Sequence, residues 1–157
     1  MEKLDLDIVL AKENELNEVF KLQKKAFKIY YDEYKDFDGN PYLMSIEQLK
    51  FNISYPFGKY LLLKQNNKII GGAFYYLSDD HHHLDQLFID PDYQGKGLGK
   101  KLLKYVLDDE DINILTTDTI YDNIAYKMYL NMGFKAISSD YEDNIHFIIL
   151  EYRKIKD

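Results

Sequence analysis

Two periods of apolar residues run through this chain, and they exchange at places marked by turn-forming residues. "DIVLAK" (Asp7–Lys12) is a short apolar run that suits a first strand. "NELNEVFKLQKKAFKIYYDEY" then repeats apolar residues at helical spacing, at Leu16, Val19, Phe20, Phe27, Tyr30 and Tyr34, with Asn14 placed to cap the helix. "KDFDGNP" breaks that pattern through Asp38-Gly39 and Asn40-Pro41 and predicts a loop. "SIEQLKFNI" sets Ser45 and Gln48 at the capping-box spacing of a second, shorter helix.

"KYLLLKQNNKIIGGAFYYL" predicts two strands around an Asn66-Asn67 turn, with Gly71-Gly72 marking a bulge or a close backbone approach. "HHLDQLFID" predicts a further strand, closed by Asp90-Pro91. The helical period returns at Leu98, where Leu98, Leu102, Leu103, Val106 and Leu107 form one stripe. "INILTT" reads as a strand, "NIAYKMYLNMGF" as a short helix ending near Gly133, and "FKAIS" and "NIHFIILEYRK" as closing strands. The order β-α-α-β-β-β-α-β-α-β-β predicts one mixed α/β domain, with most early strands antiparallel.

Composition narrows the function classes. A chain of 157 residues with 46% hydrophobic and 30% charged residues has the size and balance of one globular domain. Its net charge of −7 argues against nucleic acid as the main partner, because phosphate neutralisation needs a basic face. Cysteine is absent, which excludes disulfides, thiolate metal sites and a cysteine nucleophile. Arg153 is the only arginine, so an anionic ligand must be held by backbone amides and lysines. No apolar run approaches the roughly 20 residues of a membrane span, and "MEKLDLDIVL" lacks a secretory h-region, so a cytoplasmic location is expected.

The stripe beginning at Leu98 carries its charges the wrong way round. Gly97, Gly99, Lys100 and Lys101 stand at its start and Asp108 and Asp109 at its end, whereas a helix start favours acids and a helix end bases. A multiply charged anion would remove the conflict at the start. "QGKGLGK" (Gln94–Lys100) follows a strand and opens a helix, which is where free amides can surround a phosphate. Gly95, Gly97 and Gly99 let the backbone approach, and Lys96, Lys100 and Lys101 supply charge. The glycines come too late for an opening dinucleotide-binding unit, and no Gly-Lys-Ser/Thr is present for a phosphate-loop ATPase.

"LDQLFIDPDYQGKGLGKKLL", followed by "NIAYKMYLNMGF", resembles the GCN5-related N-acetyltransferase (GNAT) superfamily. Gln94, Gly97 and Gly99 match its Gln/Arg-x-x-Gly-x-Gly/Ala motif, and Ala125, Tyr129, Gly133 and Phe134 match its second block. The resemblance implies a GNAT-like fold, acetyl-CoA as cosubstrate and no metal. It implies that amides from Gly95 to Lys100, including those of Lys96 and Leu98, bind the pyrophosphate. Leu87, Phe88 and Ile89 would pair with the pantetheine arm, with an amide at Leu87 or Phe88 polarising the thioester carbonyl. Tyr129 would protonate the departing thiolate, and Tyr126 would lie against the cofactor. The family asparagine position holds Asp122, with Asn123 one residue late; an aspartate would repel phosphates, which favours Asn123.

An acceptor amine is protonated at neutral pH and needs a base. The resemblance implies a base on the strand leading into the glycine motif, where His83 and Asp85 match positions at which other members carry a glutamate or histidines. Alternation predicts His83, Asp85 and Leu87 on one face, and histidine titrates in the useful range, so His83 is the first candidate and Asp85 the second. His81 to His83 alternate faces, which disfavours a three-ligand metal cluster. Asp32, Glu33, Asp36 and Asp38, among tyrosines, suit either a cationic acceptor or a solvated loop. These readings predict an N-acetyltransferase acting on a small-molecule or peptide amine by direct attack in a ternary complex. The competing class is a non-catalytic acyl-CoA-binding or regulatory module. C-terminal strands of this family often pair between subunits, so a homodimer is also implied.

Overall fold

The computed structural model describes residues 5–33, 40–142 and 144–154. Seven strands form one sheet: β1 (Leu6–Leu10), β2 (Gly58–Gln65), β3 (Lys68–Ser78), β4 (His81–Ile89), β5 (Ile114–Ile120), β6 (Lys135–Glu142) and β7 (Ile145–Arg153). The helices are α1 (Leu16–Glu33), α2 (Ile46–Ser54), α3 (Leu98–Leu107) and α4 (Ile124–Asn131). The strand order is β1-β2-β3-β4-β5-β7-β6, antiparallel throughout except for the parallel pair β4 and β5. This is the mixed α/β order read from the sequence. No helix among the described residues is long and apolar enough to cross a membrane.

Each predicted element forms for a local reason. Asn66 and Asn67 both adopt left-handed backbone, which lets a two-residue turn join β2 to β3. Ser45 accepts the Gln48 N–H at 3.1 Å and starts α2. Asn14 does not cap α1; a single 3₁₀ turn, Glu13–Glu15, precedes it, and Glu15 accepts the Lys12 N–H at 3.0 Å. Tyr34, Asp36 and Asp38 lie outside the described residues, while Asp32 pairs with Lys28 one turn back.

The core has two layers. Leu61, Leu63, Ala73, Leu84 and Leu115 face the buried stripe of α3, namely Leu98, Leu102, Leu103, Val106 and Leu107. On the other side Tyr60, Leu62, Phe74 and Phe88 pack against Val19, Leu22 and Ala26 of α1 and Leu49 of α2. Gly71 and Gly72 of β3 are where those layers come closest to the backbone. A Cβ on Gly72 would sit 2.7 Å from the Phe88 ring, and one on Gly71 would sit 2.8 Å from the Phe88 carbonyl oxygen.

Two irregularities place the site. Phe74 pairs with Gln86 and Tyr75 with Leu84, so Asp85 is an extra residue in β4. This bulge corrects the expected alternation. Leu84 and Leu87 face the α3 layer while Gln86 and Phe88 face the α1 layer, and His83, packed 5.7 Å from the Tyr76 ring, is on the α1 side. His83 and Leu87 therefore do not share a face. The second irregularity is that β4 and β5 pair only at His82–Leu84 and Leu115–Thr117, after which they separate.

The far end of α3 also differs from the sequence reading. Asp108 is the C-cap and Asp109 lies beyond the helix. Asp109 accepts from Lys59 Nζ and the Tyr75 hydroxyl, each at 2.8 Å, and its carbonyl accepts from Lys154 Nζ at 2.7 Å. Burial alone would raise the Asp109 carboxyl, but the bonds from Lys59, the Asp111 N–H and Tyr75 hold it below its ordinary value. A depressed carboxyl contributes stability above its unfolded value near 3.8, and that stability is lost as pH falls through the folded value. Asp109→Asn should lower stability by about 2 kcal/mol at neutral pH, with a smaller deficit in acid. Thermal melts across pH measure this, and an unchanged melting curve would exclude Asp109 as an anchor.

Candidate active site

The segment between β4 and α3 is held from both sides. Asp90 is buried, donates its N–H to the Ile70 carbonyl at 2.7 Å and accepts the Asp92 N–H at 3.0 Å. Lys25 of α1 reaches Asp90 at 2.9 Å and Asp92 at 2.7 Å. Asp92 first and Asp90 second push the Lys25 ammonium up to about 12. Gln94 Nε2 donates to the Ile89 carbonyl at 3.3 Å, tying the loop to the end of the strand.

Beyond Gln94 the chain turns through Gly95 (φ 81°) and Gly97 (φ 75°), left-handed conformations that other residues rarely adopt. A Cβ at either would meet nothing within 4 Å, so both face open space. Gly97 is the N-cap of α3 and offers no side-chain cap to the first amides of the helix. Those donors, with the adjacent lysines, form a concavity of the kind that can hold an anion.

That concavity is one end of a cavity of about 420 Å³. Leu87, Phe88, Ile89, Gln94, Gly95, Gly97, Leu98, Gly99, Lys100 and Tyr129 all line it, together with Phe27 and Tyr30 of α1. Lys96 does not line it; its ammonium is 5.4 Å above the ring of Tyr93, which does, and Lys68 lies over the same ring at 5.3 Å. Tyr126 does not line the cavity; its ring packs 5.4 Å from Tyr121.

A second chamber of about 120 Å³ adjoins the first and shares Phe27, Tyr30, Leu87, Ala125 and Tyr129 with it. Tyr129 stands at the junction. Burial pushes its hydroxyl well above the usual tyrosine value, Thr117 lowering it by a side-chain hydrogen bond and Asp118 raising it. The phenol is therefore protonated at neutral pH. Asn123 lines this second chamber, not the first. It caps α4, its Oδ1 accepting the Tyr126 N–H at 2.7 Å and the Thr119 hydroxyl at 3.4 Å. Asp122 is left-handed and exposed, 3.8 Å from Lys127.

His83 and Asp85 line neither chamber. His83 opens onto a broad recess of about 550 Å³ across the sheet, with Nδ1 2.9 Å from the Thr116 hydroxyl and Nε2 3.5 Å from Asp118. The Thr116 hydroxyl is also 3.5 Å from the His82 carbonyl, so the tautomer of His83 follows from which of the two acceptors Thr116 serves. Asp85, exposed at the bulge but crowded by protein, has its carboxyl raised, chiefly by lost hydration and further by Asp118, while His83 lowers it. Asp118 thus acts electrostatically on Asp85 and Tyr129 and pairs with His83. Sequence reasoning passed over it, along with Lys25, Thr117 and Asn40, because nothing in their local pattern marks them. The register of β5 against β4 is the signal that would have found Asp118.

The model of the Acetyltransferase (GNAT) family matches residues 16–134. The chain belongs to this family. No curated protein matches it significantly. Among solved structures, the ribosomal-protein-S18-alanine N-acetyltransferase of Escherichia coli is similar with a TM-score of 0.76 at 21% identity, covering 94% of this chain and 93% of that one. The PaiA N-acetyltransferase of Thermoplasma acidophilum, solved with coenzyme A, gives 0.77 at 20% identity over 96% and 99% of the two chains. The spermidine N-acetyltransferase of Vibrio cholerae, solved with CoA and spermine, gives 0.73 at 16% identity over 94% and 95%. These likenesses show that the fold is that of the GNAT acetyltransferases.

Within this GNAT fold, Lys25 is the strap that holds α1 to the glycine loop. Lys25→Ala should speed hydrogen exchange at the Asp92 and Tyr93 amides about tenfold without moving the exchange of β2 and β3. Equal protection in variant and wild type would show that the turn holds without the strap.

Proposed function

We propose that the chain is an N-acetyltransferase that passes the acetyl group of acetyl-CoA to a primary amine by direct attack in a ternary complex. The observation that carries this reading is one cavity running from the uncapped start of α3, along the unpaired end of β4, to a buried protonated tyrosine. The donor set fits the cosubstrate. Gly95 and Gly97 stand beside open space, where the amides from Gly95 to Lys100 would meet a pyrophosphate with Lys96 and Lys100 nearby, and the strand edge at Leu87–Ile89 has no partner strand on the β5 side. Acetyl-CoA would supply the activated thioester.

The chain's own groups have distinct tasks. An amide at Leu87 or Phe88 donates to the carbonyl oxygen as charge develops there. Tyr129 gives its proton to the leaving sulfur. His83, oriented by Thr116, takes the amine proton by way of water, and the imidazolium so formed is met by Asp118. Asp85, with its raised carboxyl, stands beside that route as the second candidate base. Among the similar structures, one is named for a protein alanine and another for spermidine, so peptide and polyamine acceptors both belong in the assay.

Tyr129→Phe should lower kcat about 100-fold and leave acetyl-CoA affinity unchanged, measured by CoA release and by calorimetry. Lys100→Glu should weaken acetyl-CoA binding about tenfold, most strongly at low salt. Tight acetyl-CoA binding with no CoA release on any amine would make the chain a binding module instead. His83→Ala should slow turnover mainly near neutral pH; a rate unaltered between about pH 6 and pH 9 would move the role to Asp85.

A further inference from the structure

The small chamber beyond Tyr129 holds a buried donor without a partner. Asn40 is 2% exposed and lines that chamber, and its Nδ2 has no hydrogen-bond partner among the described residues. Its orientation is fixed. Oδ1 accepts the Tyr42 N–H at 2.9 Å, so flipping the amide would set donor against donor. The turn around it is also held, since the Leu43 N–H donates to the Asn40 carbonyl at 2.9 Å and buried Gln23 donates to the Pro41 carbonyl at 3.3 Å. A rigid, buried, unpaired N–H₂ group destabilises a fold, and native proteins keep few of them.

Much of the chamber's lining is apolar, including Phe27, Leu87, Ile120 and Ala125. Among its other polar side chains, the Thr119 hydroxyl donates to Asn123 Oδ1, which also caps α4, and the phenols of Tyr30 and Tyr129 complete the lining. The Asn40 donor therefore asks for an oxygen acceptor on whatever enters. An ammonium chain carries only donors and would leave Nδ2 unpaired. A carbonyl beside the reacting amine would satisfy it.

We infer that Asn40 selects an acceptor bearing a carbonyl next to its primary amine, that is, an α-aminoacyl group such as a peptide N-terminus or an amino-acid amide. This rests on the acetyl-transfer reading and deepens it. In this arrangement the α-amine lies at the Tyr129 junction and its carbonyl oxygen accepts from Asn40 Nδ2. The confined chamber admits the aminoacyl end while the remainder of a peptide stays outside.

The test compares alaninamide, an alanine-initiated tripeptide, spermidine and propylamine as acceptors, for wild type and two variants. Asn40→Ser keeps a side-chain acceptor for the Tyr42 N–H but is too short to reach the chamber. Asn40→Asp keeps Oδ1 and removes the N–H₂ donor. CoA release on any amine establishes acetyl transfer, and the ratio of kcat/KM between acceptors tests the role of Asn40. Wild type should prefer the two aminoacyl acceptors by about 10- to 100-fold. Both variants should lose that preference, mainly through KM, while keeping their rate on propylamine; Asn40→Asp, which buries a carboxylate, should melt lower than Asn40→Ser. A tripeptide rate well above that of alaninamide identifies a peptide N-terminus as the source of the group, and the reverse identifies a free amino-acid amide. Equal or better turnover of spermidine by wild type would overturn the inference, as would variants that slow all amines equally. Should no amine turn over, calorimetry of alaninamide and propylamine on the acetyl-CoA-loaded protein decides it: only alaninamide should bind, and only when Asn40 is intact.

Discussion

Parallel pairing of β4 with β5 ends at Leu84 and Thr117, and the site is built on its ending there. Thr117 closes the last rung by donating its hydroxyl to the Leu84 carbonyl at 3.0 Å. Beyond it the strands part, and the inserted Asp85 twists β4 as it leaves. Backbone groups at Leu87–Ile89 then lack strand partners on that side, and buried backbone polar groups require partners. An extended ligand arm is a partner of the right shape. The same divergence lets Tyr129 of α4 sit between the larger cavity and the chamber lined by Asn40.

Charge follows from the same geometry. The uncapped start of α3 and its lysines are unfavourable together until an anion stands between them. Asp109, which looked misplaced as part of that helix, lies outside it and ties β2, β3 and the C-terminal segment together through Lys59, Tyr75 and Lys154. Lys25 pairs with the two aspartates before the glycine loop, which offsets the negative charge of that turn. On the other side of the divergence, burial raises both Asp85 and Tyr129, and Asp118, 3.5 Å from His83, adds to each.

Much of this was legible before any coordinates. Period changes at Asn66-Asn67 and Asp90-Pro91 mark strand ends, the Leu98–Leu107 stripe marks α3, and the element order follows the chain. The glycine loop was legible because left-handed backbone and a missing cap are properties of residues adjacent in sequence. The face assignment of His83 was not. A bulge depends on how β3 and β4 slide against each other, and one extra residue at Asp85 reverses the parity that alternation would predict. Asn123 offers a second case, because a side chain that can serve a ligand or a helix start is assigned only when the helix start is known.

By itself, then, the sequence determined the order of helices and strands, the buried stripe of α3 and the glycine-rich, uncapped turn at its head. All three depend on neighbours within a few positions, where propensity and periodicity act. Only the tertiary structure decided that β4 and β5 part after Leu84, that Asp118 lies beside His83, and that Asn40 lies buried with an unpaired donor in the chamber that Tyr129 also lines. Those facts depend on sheet register and on packing between segments distant along the chain, which no local pattern encodes.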